Sequence, residues 1–142
     1  LIISGVNAPV PEQKYEYYSL GQPFNLTFGK DIFSIVIYNI TEETQITVNN
    51  GQNISSSGFY LFVNGGVTNL GKVTSDLHLQ SELKDSQDNL YVLFATDTRV
   101  GGLQPNLEKS FYHVFEIPKS ASGLKFSVKD KTKIIKVVDL GK

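Results

Sequence analysis

Residues 58–71, GFYLFVNGGVTNLG, constrain the fold of this chain more than any other stretch. Successive side chains of a strand point to opposite faces, so a strand with one wet face alternates apolar and polar residues. Phe59, Tyr60, Leu61, Phe62 and Val63 do not alternate, and both faces of such a strand need cover. The pair Gly65-Gly66 then interrupts the run before Val67, a pattern that marks a bulge or a close backbone approach. This pattern predicts a central strand of a β-sandwich. Its excess apolar face, Tyr60 and Phe62, is expected to pack against the tyrosines of residues 15–18 or against another subunit.

The rest of the chain is punctuated at short intervals. Apolar or alternating runs at 15–20, 24–28, 32–40, 44–48, 77–80, 90–95, 111–117, 124–128 and 132–140 read as strands. Gly21-Gln22-Pro23, Gly29-Lys30-Asp31, Thr41-Glu42-Glu43 and residues 84–89 read as turns, and residues 49–57 and 100–107 as longer loops. No helical period and no internal repeat is present. The expected class is all-β: an antiparallel immunoglobulin-like β-sandwich of about seven to nine strands. That domain spans residues 14–142. Before it, residues 1–13 hold an apolar segment (Leu1, Ile2, Ile3 and Val6) and a linker stiffened by Pro9 and Pro11. An exposed apolar segment invites aggregation. It is expected to fold back on its own sandwich or to add as a strand to a neighbouring subunit.

Several motifs occur in a suggestive order. Tyr18, Leu20 and Gly21 lead to a long strand ending in Val67-Thr68-Asn69, and a Leu83-Lys84-Asp85 … Tyr91 hairpin follows. Leu103-Gln104-Pro105 and Phe115-Glu116-Ile117-Pro118 complete the series. Over residues 15–140 this order resembles the telokin-like, immunoglobulin-related domains of bacterial and archaeal surface lipoproteins and secreted proteins. Those domains usually place glycine where this chain has Asn106, a residue that also tolerates the left-handed conformation. The resemblance implies an extracytoplasmic sandwich with no catalytic centre. Subunits joined by N-terminal strands are also similar in plan to surface filaments of thermophilic archaea.

Composition narrows the chemistry. Without cysteine there is no disulfide framework, thiolate nucleophile or thiolate metal site. A net charge of −1 gives no global reason to expect nucleic acid as a partner, and no apolar stretch approaches a membrane span. Seven lysines between Lys119 and Lys142 read as a binding patch or as the solvated edge of a last strand. Acid–base work would fall to His78, expected in solvent, and His113, expected to pack with Phe111, Phe115 and Ile117. Asp85, Asp88 and Asn89 share one turn but lack calcium-loop spacing, and Asp76 with His78 is no stronger. No enzyme, cofactor or metal is expected.

Three N-glycosylation acceptors stand at Asn25, Asn39 and Asn53, against about 1.5 by chance from ten asparagines and 22 Ser/Thr in 142 residues. Tyr15, Tyr17 and Tyr18 could form a carbohydrate- or protein-binding patch, or an aromatic cluster packed on its own sheet. A chain opening on Leu1 without methionine reads either as a processed mature protein or as an excised piece of a longer one, and the expected location is outside the cell or at its surface, after removal of a signal peptide. The expected function is a structural subunit of a cell-surface assembly or filament, a homo-oligomer or polymer joined through residues 1–6. The alternative is a monomeric secreted or envelope-anchored binding module.

Overall fold

The computed structural model describes residues 12–96 and 101–142. These form ten strands: β1 (Lys14–Ser19), β2 (Phe24–Phe28), β3 (Asp31–Thr47), β4 (Asn53–Asn69), β5 (Ser81–Lys84), β6 (Leu90–Tyr91), β7 (Ala95–Thr96), β8 (Glu108–Ile117), β9 (Lys125–Lys129) and β10 (Ile134–Asp139). They build two five-stranded sheets, ordered β1-β10-β9-β5-β6 and β2-β3-β4-β8-β7. The order β10-β9-β5-β6 against β3-β4-β8-β7 matches the G-F-C-C′ and A-B-E-D sheets of an immunoglobulin sandwich. One pairing departs from the antiparallel expectation: β1 runs parallel to β10. The Leu1, Ile2, Ile3 and Val6 segment lies outside the described residues, and the domain's first strand opens at Lys14.

The core fills the space between the sheets. Phe33, Leu61, Phe115 and Phe126 are fully buried there with Leu26, Ile35, Val63, Leu83 and Val138. β4 runs between β3 and β8, as its composition predicts. Its outer face is covered from its own sheet. Tyr60 packs against Phe94 at 5.3 Å between ring centroids, and Phe62 against Tyr112 at 5.6 Å, the two pairs tilted by 42° and 46°. Tyr60 and Val114 are buried on that outer face, apart from the main core cluster. The tyrosines of residues 15–18 are not the cover, because β1 belongs to the other sheet. Phe94 arrives because the chain crosses sheets between β6 and β7, and its N–H donates to the Val114 carbonyl at 2.8 Å. A single strand at 90–95 was expected, and two dipeptide strands in different sheets are found.

The expected turn at residues 41–43 is absent. β3 continues through it as one 17-residue strand, absorbing the polar residues with register shifts between Ile37 and Asn39 and between Glu43 and Gln45. The bulge anticipated on β4 therefore falls on its partner, at Tyr38 opposite Asn64 and Gly65. The glycine pair answers to close approach. A Cβ on Gly65 would lie 2.9 Å from the Phe111 ring, and one on Gly66 2.5 Å from the Glu108 carboxylate. Glu108 lies across Gly66 to accept a hydrogen bond from the Tyr38 hydroxyl on the far strand. Asn106 adopts φ 62°, so asparagine does occupy a left-handed position in its turn. Its N–H donates to the Asn69 carbonyl at 2.8 Å. Asn69, buried, bonds Leu103 and Val73 carbonyls through its amide and holds this end of the sandwich closed.

Gly58 marks where β4 meets the end of β8: an added Cβ would stand 1.9 Å from the Ile117 carbonyl oxygen. Backbone cannot yield as a flexible side chain can. Gly58→Ala is expected to destabilise the fold by about 2–3 kcal/mol, read as a lowered urea midpoint. Gly51→Ala, in an open turn at φ +80°, is expected to cost about 1 kcal/mol.

Candidate functional site

The outer face of the β1-β10-β9-β5-β6 sheet is organised in rows by strand register. One row reads Ser19, Asp139, Lys125, Lys84 across β1, β10, β9 and β5. The next reads Tyr17, Val137, Ser127, Glu82, and a third begins Tyr15, Ile135, Lys129. The middle row is low at its centre, where Val137 and Ser127 stand between taller rows. The result is an open trough of ≈ 660 Å³ with Ile135, Val137 and Ser127 as floor. Tyr15 and Tyr17 form one wall, and the rest is lined by three lysines (Lys84, Lys125, Lys129) and three carboxylates (Glu82, Asp85, Asp88), with Gln13, Gln80 and Ser81. Strand parity splits the tyrosine cluster. Tyr18 turns inward and stacks on Phe24 at 4.8 Å, whereas Tyr15 and Tyr17 remain 49% and 66% exposed with centroids 6.3 Å apart.

The lysines do not guard an edge. β9, which carries Lys125 and Lys129, is the central strand of its sheet, and β10 is covered by β1. Edge protection therefore does not account for them. Among the described residues the ion pairs are Lys136 with Glu16 and Lys142 with Glu42, and Lys84, Lys125 and Lys129 pair with no other described residue. Lys84 and Lys125 face each other directly across β5 and β9, an arrangement that is unfavourable for like charges. The sequence pointed to Tyr15, Tyr17 and the late lysines separately. It did not join them, nor bring in Lys84, Glu82 and Ser127, because neighbours across strands follow from sheet order rather than local pattern.

The turn residues considered for metal have another task. Asp85 accepts hydrogen bonds from the Gln87 and Asn89 N–H groups, the Asn89 amide and the Tyr91 hydroxyl, all within 3.0 Å. These bonds, led by the Asn89 amide, hold its carboxyl down at about 2. The Leu83-x-Asp85 … Tyr91 pattern is thus a physical contact that shapes the β5–β6 turn. His78 is exposed. His113 is buried, edge-on to Phe111 and Phe126, with Nδ1 2.5 Å from the Ser81 hydroxyl. Burial pushes its pKa down to about 4, so the ring is neutral near pH 7.

Asn25, Asn39 and Asn53 are all exposed. Asn25 stands on edge strand β2, Asn39 follows the Tyr38 bulge and Asn53 begins β4. Beside Asn39 a smaller cleft of ≈ 230 Å³ opens between Tyr38 and Tyr112 over Asn64. The Asn64 amide donates to Asn39 Oδ1 at 2.9 Å.

No protein-family model matches this chain, and no curated protein sequence matches it. Solved structures do. An uncharacterized β-sandwich protein from Clostridium difficile aligns over 94% of this chain and 99% of its own, with TM-score 0.66 and 15% identity. A secreted protein from Mycobacterium tuberculosis aligns over 90% and 99%, with TM-score 0.64 and 11% identity. At these identities the likeness establishes the β-sandwich fold.

The buried histidine gives the fold an acid-sensitive term. Its folded pKa lies below the ordinary value of 6.5, so as pH falls the unfolded chain takes up this proton first. Stability is full above about pH 6.5 and falls toward pH 4 by on the order of 3 kcal/mol. Asp85, depressed to about 2, adds its loss only below its ordinary 3.8. Urea midpoints between pH 7 and 4.5 should decline for the native chain, and His113→Gln should flatten that decline.

Proposed function

We propose that this protein is an extracellular, non-enzymatic binding module whose working surface is the tyrosine–lysine trough. One observation carries the proposal: lysines on a central strand, without an ion-pair partner among the described residues, lie beside two exposed, stacked tyrosines on a concave face. A solvated face has no need of that combination, whereas a ligand site uses aromatic area with a few convergent polar groups. The sandwich shared with a secreted protein supports an extracellular setting, as do the three exposed sequons. The buried Ser81–His113 pair reads as core structure, because a base held near 4 by burial is poorly matched to catalysis at neutral pH.

Assembly through residues 1–6 is the second reading. The segment that would join subunits lies outside the described residues. The described core is already filled from both sheets, so an incoming strand would pair at an edge rather than complete the interior.

Amide-resolved NMR of the labelled protein titrated with soluble fractions of its own extracellular milieu separates the readings. Saturable shifts clustered on Tyr15, Tyr17, Ser127 and Lys125 are expected, and about tenfold weaker binding by Tyr15→Ala/Tyr17→Ala with an unchanged melting temperature. Shifts confined to the Tyr38–Tyr112 cleft, or no saturable shift, would overturn the proposal. Concentration-dependent polymers that vanish when residues 1–10 are removed would favour assembly.

A further inference from the structure

Resting on the reading of the trough as a binding surface, the geometry points to its ligand class: we propose an acidic oligosaccharide, sugar rings bearing carboxylate or phosphate groups. The trough offers two kinds of contact side by side. Tyr15 and Tyr17 present adjacent ring faces, tilted by only 27°, next to the apolar floor of Ile135 and Val137. A pyranose has an apolar C–H face and a hydroxyl rim. Its face fits the aromatic platform, and its rim meets the tyrosine hydroxyls, Ser127 and Glu82, where carboxylate and hydroxyl acceptors are available. A purely apolar ligand would leave those polar groups unsatisfied, and a small ion would leave the tyrosines unused.

Charge selects among sugars. Around Ser127, Lys125 and Lys129 are its same-face neighbours on β9, Lys84 stands opposite Lys125, and Glu82 stands opposite Ser127. Asp139 stands directly opposite Lys125 on β10 and keeps its charge there while its Oδ1 accepts the Gly141 N–H at 2.9 Å. Asp85, hydrogen-bonded within its own turn, stays ionised at the rim. The Lys84–Lys125 pair is a repulsive contact that an anionic group between the two ammoniums relieves with charge-assisted hydrogen bonds. Single-stranded nucleic acid would also combine stacking with phosphates, but it tracks a continuous basic groove. Here Glu82, Asp88 and Asp139 interrupt the lysines, which suits spaced anions on a hydroxylated chain.

Calorimetric titration with five probes tests this: tetragalacturonate, its methyl ester, a mannose-phosphate oligomer, maltotetraose and oligothymidylate. Saturable binding of tetragalacturonate or of the phosphate oligomer is expected, and whichever binds identifies carboxylate or phosphate as the anion. The methyl ester, maltotetraose and Lys84→Gln/Lys125→Gln should each lose about tenfold or more, and so should Tyr17→Ala. The exposed positions leave melting temperature as a check that variants fold. Silence from both acidic oligosaccharides, equal binding of the neutral sugars, or oligothymidylate binding indifferent to Tyr17→Ala overturns the proposal. If native extracellular fractions still shift the trough amides while both acidic probes fail, the ligand class is wrong and the binding face stands. If neither maps to the trough, both fall.

Discussion

Every layer of this sandwich depends on β4 being enclosed from all sides. β3 and β8 saturate its backbone, and Leu61, Val63 and Val67 face the core. On the outside, Tyr60 and Phe62 are roofed by Phe94 and Tyr112. A strand so apolar is unaffordable at a surface, and enclosing it sets where its neighbours go. β3 must bulge at Tyr38 to pass the glycine pair, and the chain must change sheets after β6 to deliver Phe94. The A-B-E-D sheet is built around that requirement.

The opposite sheet is constrained more lightly on its outer face, and this is where chemistry can be placed. Its centre, β9, has inward Phe126 and Val128 fully buried and outward Lys125, Ser127 and Lys129 free of packing duty. The backbone of β9 is held on both sides by β10 and β5, so these side chains project from a rigid base. The two tyrosines sit on β1, tied through Lys136 and Glu16 to the neighbouring β10. Platform and cations thus come from well-paired strands rather than loops.

What could be read from the residues followed from local parity and turn chemistry. The enclosed β4, the inward His113, the exposed His78 and the left-handed Asn106 all rest on neighbours along the chain. What could not be read depends on partners distant in sequence. Residues 41–43 look like a turn, yet β3 stays extended there because β4 supplies a continuous ladder opposite. The seven late lysines looked like an edge because nothing local says that β1, more than a hundred residues earlier, will cover β10. The trough needs the register of four strands at once, of which two, β9 and β10, lie in the lysine-rich stretch, and only β9 turns its lysines outward. The sequons, by contrast, were legible as positions, and their exposure follows from strand parity and turns.

The Ser81–His113 contact joins β5 in one sheet to β8 in the other, amid side chains that otherwise meet through apolar surface. Greasy layers grip without preferring one alignment over another a residue away, since dispersion has no direction. A hydrogen bond has direction, and in a low-dielectric interior a mismatched one is severely penalised. This contact therefore works as a key in a slot: together with the bonds between Thr27 and the Asp130–Lys131 turn, it favours one mutual placement of the layers, and with it the place of the trough relative to the opposite face.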